Sequence, residues 1–224
     1  MSLNNKLDNI RLRIDQAQKR SGFNHPVRFV AVTKTHPFST IEKCFKAGIT
    51  SIGENKIQEA TQKFKALELI PGLEKRFIGN LQSNKVNKCL DLFDVIDSVD
   101  SVRLASKINK RAALLERNVP ILLEVNTSGE TQKHGFQPEQ LEEMLSCIEK
   151  RNLIVKGLMT VGPKTKDKEK KRACFALLRE LRDSMKQKSL VDLSMGMSGD
   201  FEIAVEEGST IVRVGTALLG PREE

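Results

Sequence analysis

At 224 residues the chain has room for one large core, and its 39% hydrophobic and 29% charged residues are those of a soluble globular protein. No apolar run approaches the length of a membrane span, and Met1 to Gly22 is a polar amphipathic segment instead of a secretory signal, so a cytoplasmic protein without membrane attachment is expected. The formal net charge of +8 raises nucleic acid as a partner, but the lysines are spread over helical segments with no interleaved aromatics, and tryptophan and tyrosine are absent, so that partner is not expected.

Leu3, Leu7, Ile10, Ile14 and Ala17 recur at spacings of four and three, one apolar stripe on a helix that Gly22 would end. Val27 to Thr33 follows as the first strand. Ser39 and Glu42 have the spacing of a capping box for a helix to about Ala47, with Gly48 as its stop. Ile49 to Gly53 reads as the second strand, followed by a helix carrying Ile57, Ala60, Phe64 and Leu67. Pro71-Gly72 turns the chain into a short third strand, Arg76 to Gly79, and Ser83 is expected to cap the next helix. Asp94 to Ser98 is the fourth strand, and Ser101 opens a long helix to about Arg117. Pro120 starts the fifth strand, Ile121 to Val125, whose unbroken apolar character suits a sheet covered on both faces.

A long polar loop, Thr127 to Phe136, leads past Pro138 into the next helix. Strand six is Ile154 to Met159, and a lysine-rich helix follows from about Asp167 to Lys186 with Ala173, Leu177, Leu178 and Leu181 inward. Strand seven, Val191 to Met195, opens into Gly196-Met197-Ser198-Gly199-Asp200. A helix around Phe201 to Glu207 stops at Gly208, and Thr210 to Val214 is strand eight.

Eight such repeats without linkers argue for an α/β fold, a single TIM-type (β/α)8 barrel, with an open doubly wound sheet as the alternative. Too few residues follow strand eight to build a covering helix. The N-terminal helix is therefore expected to cover the last strand. Cys44, Cys89, Cys147 and Cys174 lie far apart, without C-x-x-C spacing or histidine pairing, and each falls in a predicted helix. They read as buried free thiols, not as metal ligands or disulfides.

In a barrel of this kind the site lies at the carboxyl ends of the strands. In order, those ends carry Lys34, Glu54-Asn55, Asn80, Ser98, Asn126, Thr160, Ser198 and Gly215-Thr216. The run Val30-Ala31-Val32-Thr33-Lys34-Thr35-His36-Pro37 delivers the one amine. A lysine in a poorly solvated pocket, or beside another cation, loses its proton more easily and condenses with an aldehyde. A lone strand-end lysine more often points at water. Gly196 to Asp200 and Arg213-Val214-Gly215-Thr216 look built for a phosphate, because glycines let backbone N–H groups approach an anion. In a closed barrel strand eight lies beside strand one, so amine and cradle should share a ligand bearing an aldehyde and a phosphate. Pyridoxal 5'-phosphate (PLP) fits both requirements. A sugar phosphate fits less well, since an aldolase needs further acid-base groups.

The runs Ala31-Val32-Thr33-Lys34, Gly53-Glu54-Asn55, Phe77 to Lys85 and Met195-Gly196-Met197-Ser198, with Arg213-Val214-Gly215-Thr216-Ala217, resemble the pyridoxal phosphate homeostasis protein family. The resemblance covers essentially the whole chain in order. It implies a fold-type III barrel like the N-terminal domain of alanine racemase over residues 1–224, with PLP as a Schiff base on Lys34 and a role in controlling the free cofactor. By the same resemblance Ser198, Gly215 and Thr216 bind the phosphate and Arg213 faces the pyridine nitrogen. Asn55 and Asn80 join the cofactor-binding set from their strand-end positions. The chain departs from the family at Leu219, where phenylalanine is usual, and at Lys75-Arg76, where an aromatic and a histidine are common.

Racemisation on this cofactor commonly uses a lysine and a tyrosine on opposite faces, and this chain has no tyrosine. His36 is the strongest candidate for a second base, or else a hydrogen-bonding residue of the loop. An arginine against the pyridine nitrogen disfavours its protonation and weakens the ring as an electron sink. Arg213 in an ion pair with a carboxylate such as Glu54 is the alternative. No β-rich second domain follows the barrel, which removes the usual reason to dimerise. The expectation is a monomeric, non-catalytic PLP carrier that hands its cofactor to PLP-dependent apoenzymes, with an amino-acid racemase or related enzyme as the competing function.

Overall fold

The computed structural model describes residues 2–65 and 70–220. Eight strands, β1 (Arg28–Val32), β2 (Ser51–Glu54), β3 (Glu74–Phe77), β4 (Val95–Val99), β5 (Val119–Glu124), β6 (Leu153–Met159), β7 (Asp192–Ser194) and β8 (Ile211–Val214), pair in sequence order into a closed parallel barrel. The helices among the described residues are α1 (Leu3–Ser21), α2 (Phe38–Lys46), α3 (Ile57–Phe64), α4 (Val86–Leu92), α5 (Val102–Leu114), α6 (Leu141–Ile148), α7 (Lys168–Ser184), α8 (Phe201–Glu206) and α9 (Thr216–Leu219). Closure runs from Arg28 opposite Ile211 to Ala31 opposite Val214. The TIM-type expectation holds, and the open sheet is excluded.

Strand alternation sorts the side chains. Val30, Leu122, Met159 and Ile211 point inward and form a small apolar waist inside the barrel. Outward residues such as Ala31, Ile52, Phe77, Ile96, Leu158, Val212 and Val214 join the helices in one continuous core. Above and below the waist the interior is polar, so side-chain hydrogen bonds position what lies at either mouth.

The helix α1 forms where its stripe predicts. Ser2 accepts the Asn5 N–H at 3.2 Å, and Gly22 ends the helix at φ 75°, a left-handed stop that glycine adopts without a Cβ clash. Its buried Leu7, Ile10, Ile14 and Ala17 share the core with Ala31, Val212 and Val214, and it packs against α8 and the four-residue α9. Arg13 grips Glu202 with bonds of 3.3 and 2.8 Å, and Arg20 reaches Glu206 at 2.7 Å. The N-terminal helix thus supplies the cover that α9 is too short to give.

Three local expectations change. Ser39 caps nothing: α2 begins one residue earlier, at Phe38 after Pro37, so Ser39 already lies in the first turn. Ser83 belongs to a 3-10 turn, Ser83–Lys85, and α4 starts only at Val86, because the chain leaving β3 turns once more before it can propagate a helix. On α7 the buried stripe is Cys174, Phe175, Leu178 and Leu181, while Ala173 and Leu177 are exposed. The bulk of Phe175 takes the inward direction and rotates the face by one residue. Leu67 lies outside the described residues. Ser101 does cap α5, accepting the Leu104 N–H at 3.3 Å, and all four cysteines are buried in helices, where desolvation raises their thiols.

Candidate cofactor site

Lys34 follows β1 at the carboxyl mouth, half-buried, two residues beyond Val32 and at the same strand parity as the inward Val30. Next to it Thr35 has φ 66°, a left-handed conformation that costs a β-branched residue about 1–2 kcal/mol. The turn is held from outside the barrel. The Thr35 N–H donates to a carboxylate oxygen of Glu59 on α3. Lys63, one helical turn further, donates from Nζ to the Thr33 carbonyl at 2.8 Å, to Glu54 Oε1 at 2.9 Å and to Glu59 Oε1 at 2.5 Å. Thr33 Oγ1 adds a bond of 2.7 Å to Glu54, and the His36 N–H closes the turn onto the Thr33 carbonyl at 3.1 Å.

This network assigns Glu54 elsewhere than the mouth. Gly53 points inward, since a Cβ there would meet Val30 and Ile78, so Glu54 points outward against α3. It is fully buried, Oε2 finds no hydrogen-bond partner among the described residues, and desolvation raises its carboxyl against the opposing bonds from Thr33 and Lys63. The pairing of Glu54 with Arg213 is therefore excluded.

The glycine-rich segments meet as expected. Gly196 takes φ 91° directly above α8, where a Cβ would lie 2.6 Å from that of Ala204, so the loop can pass only as glycine. Ser198 Oγ accepts the Ala217 N–H at 3.1 Å and ties the loop after β7 to the chain after β8. The backbone N–H groups of Ser198, Gly199, Gly215 and Thr216 have no backbone acceptor among the described residues. Four uncommitted donors on two adjacent loops make a cradle for an anion. A Cβ on Gly215 would lie 3.3 Å from the Val32 carbonyl, which puts the cradle beside the strand end that carries Lys34.

Arg213 projects into the barrel, in register with the inward Val30, and is buried. Nη1 donates to the Ser194 carbonyl at 2.7 Å and to Ser194 Oγ at 2.8 Å, and Nη2 to the Thr160 carbonyl at 2.8 Å. Burial lowers its pKa, and the carboxylates of Asp97, Glu124 and Asp200 oppose that shift from further off. None of the three makes a direct bond to it.

The remaining strand ends divide. Asn55 is half-buried at the mouth, and its carbonyl approaches Gly79 so closely that a Cβ there would fall 2.2 Å away. Asn80 is exposed, with Nδ2 2.7 Å from His134 Nε2 of the loop after β5. Ser98, Asn126 and Thr160 bond locally, to the carbonyls of Gly79, Glu130 and Val125. Two groups escaped the sequence reading. His134 is one. The other is Glu124, last residue of β5, paired in register with the inward Met159, whose carboxyl desolvation raises to about 7 against the pull of Arg213. Alternation counted from Leu122 would have found it.

The chain matches the model of the alanine racemase N-terminal domain over residues 6–223. A pyridoxal phosphate homeostasis protein of Aquifex aeolicus is 40% identical, the alignment covering 97% of each chain. The chain belongs to the pyridoxal phosphate homeostasis protein family. Among solved structures, an unknown protein from Bifidobacterium adolescentis superposes with TM-score 0.91 at 36% identity, covering 97% of this chain and 94% of that one. PipY of Synechococcus elongatus PCC7942, solved with PLP bound, superposes with TM-score 0.86 at 33% identity over 98% of this chain and all of its own. The family relation agrees with the barrel.

Proposed function

We propose that the chain binds PLP at the carboxyl end of its barrel and serves as a store from which the cofactor is handed on, without robust catalysis of its own. The observation that carries this is the closure of the barrel. It seats the strand end bearing Lys34 beside the end of β8, whose Gly215 and Thr216 share the four uncommitted N–H groups with Ser198 and Gly199 after β7. When bound, PLP supplies an aldehyde that condenses with an amine to a Schiff base. Lys34 provides that amine. Ser198, Gly215 and Thr216 would hold the phosphate, Arg213 would face the pyridine nitrogen, and Asn55 and Asn80 would complete the cofactor-binding set. The relatives' name and the PLP-bound PipY support the same assignment.

Two features favour storage over turnover. Arg213 is anchored by carbonyls and a hydroxyl, with no carboxylate bonded to it directly, and its positive charge would discourage a second proton at the ring. No tyrosine exists in the chain to act from the opposite face. On this reading the protein works as a cytoplasmic monomer that supplies PLP-dependent apoenzymes. An amino-acid racemase is the competing function, with His36 or the mouth residue His134 as its second base.

The test is direct. Purified protein is titrated with PLP, its visible absorption recorded, and the adduct reduced with borohydride and mapped by peptide mass. One label at Lys34 is expected, and Lys34→Ala should abolish it while leaving the circular dichroism and thermal transition unchanged. A label elsewhere overturns the assignment, and rapid exchange of an amino acid's α-proton for solvent deuterium would favour the racemase.

A further inference from the structure

Outside the mouth, between the barrel wall and α3, lies a polar group of Glu54, Glu59 and Lys63 that makes no contact with the phosphate cradle. Lys63 is nearly buried, with 9% of its side chain exposed, on a helix whose neighbouring stripe is apolar. All three ammonium hydrogens are spent, on Thr33 O, Glu54 Oε1 and Glu59 Oε1. Glu59 in turn accepts the Thr35 N–H, and desolvation, which would raise its carboxyl, is outweighed by the bonds from Lys63 and Thr35 that keep it ionised. The residue before Lys34 and the residue after it are thus both tied to one helix. Between those ties the backbone sits in a conformation that threonine left to itself disfavours.

Burying the Lys63 ammonium and the Glu54 carboxylate for core stability, with Glu59 partly exposed beside them, would be a poor use of them, since a well-packed apolar group generally does as well. Glu54 even leaves Oε2 without a partner among the described residues. Such a cost is accounted for if the network fixes a geometry. We propose that Glu59 and Lys63 of α3 form a clamp that holds the Thr33–Thr35 turn in its left-handed form and so aims the Lys34 amine across the mouth at the cofactor's aldehyde. Both are positioning residues, with Glu54 as the buried anchor that orients Lys63. Without the clamp Thr35 relaxes to an ordinary negative φ and the chain direction at Lys34 changes. The inference rests on Lys34 being the residue that takes PLP.

Three variants test it: Glu59→Gln, Lys63→Met, and Glu59→Gln combined with Thr35→Asn, since asparagine adopts the left-handed region far more readily than threonine. Two readouts are taken on the full chain, the hydrogen exchange of the Thr35 amide without cofactor and the affinity for PLP by absorption titration. Glu59→Gln and Lys63→Met should each weaken PLP about tenfold. Glu59→Gln should also speed Thr35 exchange by at least roughly tenfold. Adding Thr35→Asn should return the affinity to within about threefold of the starting protein. A merely structural role for α3 would not be rescued by a residue that only changes the turn's preference. Unchanged Thr35 exchange in Glu59→Gln overturns the clamp, as does an affinity loss that Thr35→Asn leaves in place. If the unaltered protein takes PLP at another lysine, the cofactor assignment fails, and the exchange data still decide separately whether α3 holds the turn.

Discussion

Both ends of the barrel carry buried arginine, and the partners differ in kind. At the amino end Arg76 meets Asp97 with bonds of 3.0 and 2.8 Å and Glu74 at 2.8 Å, while Arg28 pairs with Asp192. Two clefts open there, of about 400 and 460 Å³, and both are lined by Arg28, Glu74 and Arg76. Arg28 and Arg76, the arginines common to both clefts, are already matched by carboxylates, so an anion would have to compete for them. At the carboxyl end Arg213 is bonded only to carbonyls and a hydroxyl, which satisfy its hydrogens without cancelling its charge. Beside it stand N–H groups with no backbone acceptor among the described residues. Unspent donors mark a ligand site better than the size of a hollow does. Lys75-Arg76 falls at the self-neutralised amino end, away from the mouth.

The contrast can be broken most forcefully at Asp97. Asp97→Asn removes the buried carboxylate from the Arg76 guanidinium and leaves it only the part-exposed Glu74, and should cost about 3–5 kcal/mol in urea denaturation. Replacing both partners, Arg76→Met with Asp97→Leu, should recover most of that loss, and neither variant should move PLP affinity by more than about twofold if the two ends are independent. An affinity that follows stability would show them coupled.

Glu124 sharpens the comparison from the carboxyl side. Its carboxyl is raised from 4.5 to about 7, so the folded chain binds the extra proton and the unfolded chain does not. Stability from this group is therefore full below pH 4.5 and is lost as pH rises toward 7, by at most about 3 kcal/mol. Glu124→Gln should flatten the pH dependence of the denaturation midpoint across that window, and an unaltered slope would remove Glu124 from the account.

A smaller effect is expected at Arg213. Arg213→Leu removes three hydrogen bonds and the charge proposed to face the ring, and should weaken PLP about tenfold by absorption titration. If binding is unchanged, the arginine serves only to brace Ser194 and Thr160. The least effect should come from Arg28→Met. Half of that side chain is solvent-exposed, so its pair with Asp192 contributes less than about 1 kcal/mol, measurable as a shift of the thermal midpoint.

Much of the fold was legible because its signals are local. Gly22, Gly48 and Gly208 stop helices with φ of 75°, 82° and 90° at the positions where the apolar stripes end. Ser101 caps α5 because no proline or extra turn intervenes before the helix starts. Ser39 and Ser83 carry the same side-chain signal and cap nothing, since Pro37 and a 3-10 turn displace the helix starts around them. The α7 face turned by one residue for a similar reason: Phe175 and Leu177 both suit a core, and only the space beside β6 and α8 selects between them.

Side-chain direction at strand ends is a further step removed from sequence. Glu54 and Lys34 both look like mouth residues, yet Glu54 faces α3, because direction follows pleat parity set by register with neighbouring strands. His134 comes to Asn80 from 54 residues away, a proximity no spacing encodes.

By itself the sequence determined the repeating strand-helix pattern, the helix stops, and the supply of one amine and two glycine-rich loops at strand ends. These are properties of short segments, fixed by side-chain periodicity and by the backbone freedom of glycine. The closed tertiary structure decided that β8 lies against β1, that Arg213 keeps its charge while Arg76 spends its own, and that α3 reaches back to hold the turn around Lys34. Each depends on parity and register summed around the barrel, where a one-residue shift would exchange inside for outside.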